Sequence, residues 1–241
     1  MPTDLLTRSE AVEDIVHERL EEAGLKKLLL PLDGDCKGPG RTPIFISKDL
    51  ETKSRIVILV NDTEQDLGIL AHRIAGGSGG INMGSMVSIV QALQKQSISA
   101  KDTSPPGIII TNAAQKLWDP EDKRAVTVRA HAKLRLPSLV HQGRRIDSRN
   151  WIPSNEDPFD HMDYILGKVL PQYGKANCRL DFIAIGIGAD ELEAYMDDTG
   201  WSKVGKQINT LTTLGSTTST DRLNNKEYMK FRTQVSRKKT L

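Results

Sequence analysis

Three turns in the chain carry residues of the kind that hold ligands or react at the carboxyl ends of strands in a parallel sheet. The first is Gly186-Ile187-Gly188-Ala189-Asp190, which leaves an apolar run and enters a helical pattern. A strand-to-helix turn of the form G-x-S-x-G displays a serine nucleophile at its sharp apex. Here Gly188 takes the central position and Asp190 the final one, so the turn has no oxygen to attack a carbonyl, and Asp190 is equally a candidate helix cap. The second is the polar strand end Val60-Asn61-Asp62-Thr63, whose simpler reading is an ordinary capping turn. The third is the glycine-rich stretch 76–85, Gly-Gly-Ser-Gly-Gly-Ile-Asn-Met-Gly-Ser. Backbone N–H groups at a helix start can hold an anion, yet neither G-x-G-x-x-G nor a phosphate loop ending in Lys-Ser/Thr fits. The alternative is a flexible turn between two helices. Ser85 is a serviceable nucleophile if a histidine meets it; otherwise it is a cap.

The remaining chemistry is sparse. His17, His72, His131, His141 and His161 are scattered without H-E-x-x-H spacing, so no metal site and no cofactor is expected. Cys36 and Cys178 fit reduced thiols better than a disulfide framework. What stands out is charge. The 241 residues hold 33 Lys plus Arg against 31 Asp plus Glu, a formal +2, but this is a cancellation. Residues 1–122 carry 13 basic and 18 acidic side chains, and 150–220 carry 5 and 10. Residues 123–149 set Lys123, Arg124, Arg129, Lys133, Arg135, Arg144, Arg145 and Arg149 against Asp147 alone, and 221–241 set seven basic residues against two acidic ones. Basic blocks of this kind suit an anionic partner, although a solvated face is the commoner reason for them. Trp118 and Trp151 bracket the first block without entering it, which favours contact with phosphates of RNA or DNA over stacking on bases.

The elements that must position these residues are legible from periodicity. Val12, Ile15, Val16 and Leu20 form a helical stripe, with Thr7 and Glu10 spaced as a capping box and Gly24 as the stop. Apolar runs at 28–30, 55–61, 107–112 and 180–186 read as buried strands, with an edge strand at about 207–214. Helical patterns lie between them: Leu67, Leu70 and Ile74; Met83, Met86, Val87, Val90 and Leu93; and Met162, Ile165, Leu166, Val169 and Leu170 behind Asp157-Pro158. The alternation implies an α/β fold, a mostly parallel sheet with flanking helices. One domain spans 1–220, interrupted by a long basic excursion at 113–156, and 221–241 reads as a flexible basic tail with a short helix near 226–235. No run of 18 apolar residues exists, so no membrane-spanning helix and no membrane partner are expected. The N-terminus lacks the pattern of a secretory signal, which points to the nucleus or cytoplasm.

Five segments in order, VNDTEQDLGILAHRI (60–74), GGINMGSMVS (79–88), GIIITNAAQKLW (107–118), WIPSNEDPFDHMDYIL (151–166) and LDFIAIGIGAD (180–190), resemble fungal proteins of the Arb-two domain family. That family is named for a subunit of the argonaute siRNA chaperone complex, and similar domains occur in some class II histone deacetylases. The resemblance spans roughly residues 10–220 and implies an α/β-hydrolase-like fold. It also implies protein partners of the argonaute or histone-deacetylase kind, in small-RNA-directed silencing or heterochromatin assembly. It sets the elbow region at Gly186, Gly188, Ala189 and Asp190 and the polar strand end at Asn61 and Asp62. The Pro-Gly-Asn turn frequent in relatives stands here as Pro153-Ser154-Asn155. The chain stops soon after its expected sixth strand, as a hydrolase truncated at its C-terminal end would, and with the later strands go the acid and the histidine of a triad. A non-catalytic interaction module is therefore expected. The alternatives are a hydrolase with Ser85 as a displaced nucleophile, or a small-anion binder at 76–85.

Overall fold

The computed structural model describes residues 2–33, 38–133 and 145–237, with side chains described from Glu10 to Gln234 within those spans. Cys36, Arg135, His141 and Arg144 lie outside the described residues.

Helix α1 (Pro2–Glu22) buries Val12, Val16 and Leu20 along the expected stripe. It ends where Gly24 takes a φ of 84°, the left-handed geometry that glycine supplies at a helix stop. Its start corrects the expected capping box. The helix begins at Pro2, so Thr7 and Glu10 lie inside it, and the Glu10 carboxylate pairs with Arg124. Strand β1 (Leu25–Leu30) pairs antiparallel with β2 (Thr42–Ser47), a strand the periodicity does not announce because Pro43 stands at its second position. Then come β3 (Arg55–Val60), the short helices α2 (His72–Ala75) and α3 (Gly80–Gly84), α4 (Val87–Gln94) and β4 (Gly107–Ile110). The helix expected through Leu67, Leu70 and Ile74 is confined to α2. The Asn61 side chain donates to the carbonyls of Asp66 (3.2 Å) and Ile69 (2.9 Å), holding the stretch before α2 as a loop.

The described residues of the excursion form elements of their own. A hairpin of β5 (Leu117–Asp119) and β6 (Arg124–Val126) leads to α5 (Val128–Lys133), and the returning chain is tied back by Trp118 N–H to the Asn150 carbonyl. Next follow α6 (Pro158–Tyr164), a π turn at Ile165–Val169 and α7 (Leu170–Tyr173). Asp157 caps α6 by accepting from the N–H of Asp160, as the Asp-Pro signal anticipates. The π turn sits just before Pro171, which cannot donate to a carbonyl one turn back. Strand β7 (Arg179–Ile185), α8 (Ile187–Tyr195), a π turn at Met196–Gly200, α9 (Trp201–Val204), β8 (Ile208–Leu214) and α10 (Lys226–Arg237) complete the chain.

Six strands form one sheet in the order β1-β2-β4-β3-β7-β8, in which β4, β3, β7 and β8 are parallel and β2 runs against β4. This is a mostly parallel, α/β-hydrolase-like sheet, with helices on both faces. Central β3 keeps Ile56, Val57, Ile58, Leu59 and Val60 at 2% exposure or less, each burial contributing roughly 1.5–3 kcal/mol. One face carries α6 to α10 and the other α1 and α4. The expected basic tail departs from expectation: α10 seats Tyr228, fully buried, against Trp201, and Arg232 pairs with buried Glu193 of α8. An aromatic and an ion pair facing inward tie α10 to the packed body.

Candidate functional site

The turn from β7 into α8 has the shape of a nucleophile elbow, two residues earlier than the sequence suggests. Gly186 is the apex, with φ 61° and ψ −137° in a region that L side chains avoid, and it stands at the N-cap of α8. Ala184 and Gly188 then occupy the small-residue positions on either side, and the central position assigned to Gly188 is corrected to Gly186. Gly188 is needed for a different reason: a Cβ there would collide with the backbone carbonyl of Asn61. Ala189 is fully buried beneath the turn.

The space beside the apex is filled. A Cβ on Gly186 would land on the carboxylate of Asp62, and Asp62 Oδ2 lies 3.4 Å from the N–H of Ile187, which points at it. In a working elbow the N–H following the nucleophile is one donor of the oxyanion hole. Here that donor faces the half-buried Asp62 carboxylate, which also accepts from the Glu64 N–H at 2.9 Å on Oδ1. Asp190 does not cap α8. It accepts from the hydroxyls of Ser216, Thr217 and Thr218 and from the N–H groups of Thr217 and Thr218, anchoring the segment after β8. Partial burial works against its ionisation, but these bonds prevail and hold the carboxyl down at about 2.

A second polar constellation crosses the carboxyl ends of β3 and β4. The Asn112 N–H donates to Nε2 of His161 (2.9 Å), and Nδ1 of His161 meets Asn155 Oδ1 (2.7 Å), which assigns the proton to Nδ1. Complete burial pushes this imidazole down to about 3, so it is neutral and structural. Asn155 is offered to it by the turn at Ser154, whose φ of 58° is left-handed, the geometry a glycine takes without strain. Asn112 Nδ2 also donates to Gln115 Oε1 (2.7 Å), and Gln115 Nε2 donates to both Glu13 Oε1 (2.8 Å) and Asp66 Oδ1 (3.3 Å). His72 Nε2 meets Asp66 Oδ2 at 2.7 Å. Burial, then the neighbouring Asp66, lifts the Glu13 carboxyl to about 7. Sequence reasoning missed this network; its one signal was the cluster Asn112, Gln115 and Asn155 beside apolar runs. Cys178 is buried, a thiol with its pKa raised by desolvation.

The other candidates are placed as follows. Ser85 is fully buried; its hydroxyl donates to the Ile81 carbonyl (2.7 Å) and accepts from the Val87 N–H (3.3 Å). The 76–85 stretch is the turn after α2 followed by α3, where a Cβ on Gly84 would strike the backbone of Ala75. Arg124 is engaged with Glu10 and lies 4.0 Å from Asp122. Arg129 and Lys133, one helical turn apart on α5, are exposed, as is Arg145. Among the described residues no three His, Cys, Asp or Glu side chains converge as metal ligands, and no helix is long and apolar enough to cross a membrane. An open cleft of about 710 Å³ runs along α6 past Asp160, Asp163 and Lys203, and no elbow residue lines it.

The Arb2 domain model matches residues 5–238, nearly the whole chain. No curated protein matches. Among solved structures, a histone deacetylase from Saccharomyces cerevisiae is 14% identical, with 88% of this chain and 69% of that one covered at a TM-score of 0.45. A selenomethionine-labelled alpha-amino acid ester hydrolase is 10% identical, with 72% and 23% covered at a TM-score of 0.31.

Proposed function

The chain belongs to the Arb2 domain family, and from that premise we propose that it is a hydrolase-shaped interaction module without hydrolytic chemistry. It serves histone-deacetylase-linked heterochromatin assembly and small-RNA-directed silencing, in the nucleus or cytoplasm. The observation that carries the non-catalytic reading is the elbow: Gly186 offers no nucleophile, and the Asp62 carboxylate occupies the space beside it. An anion fixed in front of the Ile187 N–H repels the oxyanion that a hydrolase must stabilise there. Ser85, the alternative nucleophile, already uses its hydroxyl in two local hydrogen bonds. Treating the folded chain with a fluorophosphonate probe tests this. No serine is labelled if the reading holds, and a labelled serine overturns it.

The partners follow from the family, which is named for an argonaute chaperone subunit. Affinity purification of the chain from its native cell should bring down argonaute or deacetylase subunits; recovery of neither would sink that assignment. The exposed cations Arg129, Lys133 and Arg145 support a phosphate-backbone contact. With about three such contacts, log K for duplex RNA should fall against log salt with a slope of roughly −3. Reversing all three charges should abolish the slope, and unchanged binding in that triple variant would refute the contact.

A further inference from the structure

We propose that Glu13 is a proton-operated latch that holds the β5–β6–α5 excursion closed over α1 and loosens it as the carboxyl ionises. The geometry is that of a carboxyl with no cation of its own. Glu13 is 9% exposed, and the hydrogen bond it is given, from Gln115 Nε2, comes from an amide group that also serves Asp66. Two carboxylates thus converge on one neutral donor, an arrangement that favours keeping a proton on one of them.

The groups facing Glu13 from each neighbouring element do not supply the missing charge. On α1, Asp14 and Glu10 add negative charge; His17 lies 3.7 Å away through Nε2. That nitrogen, however, points to the Leu67 carbonyl at 3.3 Å, while Lys27 Nζ sits 3.1 Å from Nδ1. Burial and then Lys27 lower His17 to about 4, so it is neutral where Glu13 titrates. From the loop after β3 comes Asp66, which His72 partners on its other oxygen. From β6 comes Arg124, already joined to Glu10. The β6 and α5 side of the space is closed by Val126 and Ala130, leaving a cavity of about 20 Å³, room for a single water. Ionised Glu13 is relieved by admitting water, and the wall that can give way is the hairpin with α5, an excursion from the sheet. The same excursion carries Arg129 and Lys133, but the latch stands whether or not those residues bind phosphate.

Amide hydrogen exchange on the full chain, corrected for intrinsic rates, tests this. If opening returns Glu13 from about 7 to 4.5, the opening constant of residues 117–133 rises about fortyfold from pH 5 to 7 and less than twofold from pH 7 to 8. Glu13→Gln, which mimics the protonated form, should keep those amides protected at a level independent of pH. Asp66→Asn, which removes the repelling neighbour, should shrink the rise and keeps the test open if the first variant folds poorly. Three results would overturn the latch: no rise in the parent chain, the same rise in Glu13→Gln, or an equal change in the amides of β3 and β7, which would mean global unfolding.

Discussion

Replacing Arg232 by methionine keeps an unbranched apolar stem while removing the cation from Glu193, and the structure sets the size of the consequence. Arg232 Nε lies 3.2 Å from Glu193 Oε2, and Tyr228 OH donates to the same oxygen at 3.1 Å. The Glu193 side chain is 1% exposed, and burial raises its pKa above 4.5 even with the arginine in place. Without the arginine, the carboxylate either stays charged in the interior or takes a proton. Protonation caps the penalty: from 4.5 to pH 7 it costs about 3.4 kcal/mol at 1.36 kcal/mol per unit. The expected loss is therefore about 3 kcal/mol at neutral pH, in line with other broken buried pairs. Because the variant's folded pKa is raised, its stability is full below the unfolded value and falls as pH rises. At pH 5 the penalty shrinks to about 0.7 kcal/mol. Thermal unfolding should show Tm lowered by about 6–12 °C at pH 7 and by about 2 °C at pH 5. Glu193→Gln combined with Arg232→Met should recover most of the loss. A shift independent of pH, or one below 2 °C at pH 7, would refute both the buried pair and the place of α10 in the domain.

Gly188→Ala should destabilise by about 3 kcal/mol in chemical denaturation, because the added methyl meets the Asn61 carbonyl and neither strand nor helix can yield freely. Ser154→Gly should stabilise by about 0.5 kcal/mol, since φ 58° strains serine more than the extra unfolded freedom of glycine costs. Asp190→Ala should cost about 1 kcal/mol at pH 6, a discounted figure for a partly exposed group. Its folded pKa of about 2 lies below 3.8, so the contribution is full above 3.8 and fades as pH falls towards 2. The gap in Tm between parent and variant should close over that window.

Most of the scaffold was legible because its signals are local. The runs at β3, β4 and β7 are buried on both faces, so continuous Ile and Val announce them, and Asp157-Pro158 marks the start of α6 with two residues. What escaped depends on distant partners. β2 carries Pro43 at its second position, a residue that argues against a strand, and its pairing with β1 and β4 makes it one. The stretch 67–71 has helical spacing, but the Asn61 amide captures the carbonyls of Asp66, just before it, and Ile69, within it. α10 reads as a solvated tail because Arg232 looks like any surface cation until Glu193, 39 residues away, is seen beneath it. The elbow was recognised but misframed. Gly186 and Gly188 are two residues apart, and the sequence does not say which is glycine for its φ and which for a close approach.

That distinction separates two demands made on the same turn. The fold needs the turn from β7 into α8 for packing: Gly188 lets the helix lie against the end of β3, and Ala189 is buried under it. These packing demands are independent of which residue stands at the apex. The apex itself is under no such packing demand; its φ of 61° costs a side chain strain that a catalytic serine would have to repay in rate. Glycine removes that strain, and the space left by the absent Cβ admits the Asp62 carboxylate to the Ile187 N–H. The side chain of Gly186→Ser therefore meets the Asp62 carboxylate. The two demands separate residue by residue: Gly188 and Ala189 serve the packing of α8, while Gly186 leaves room for Asp62 beside the Ile187 N–H.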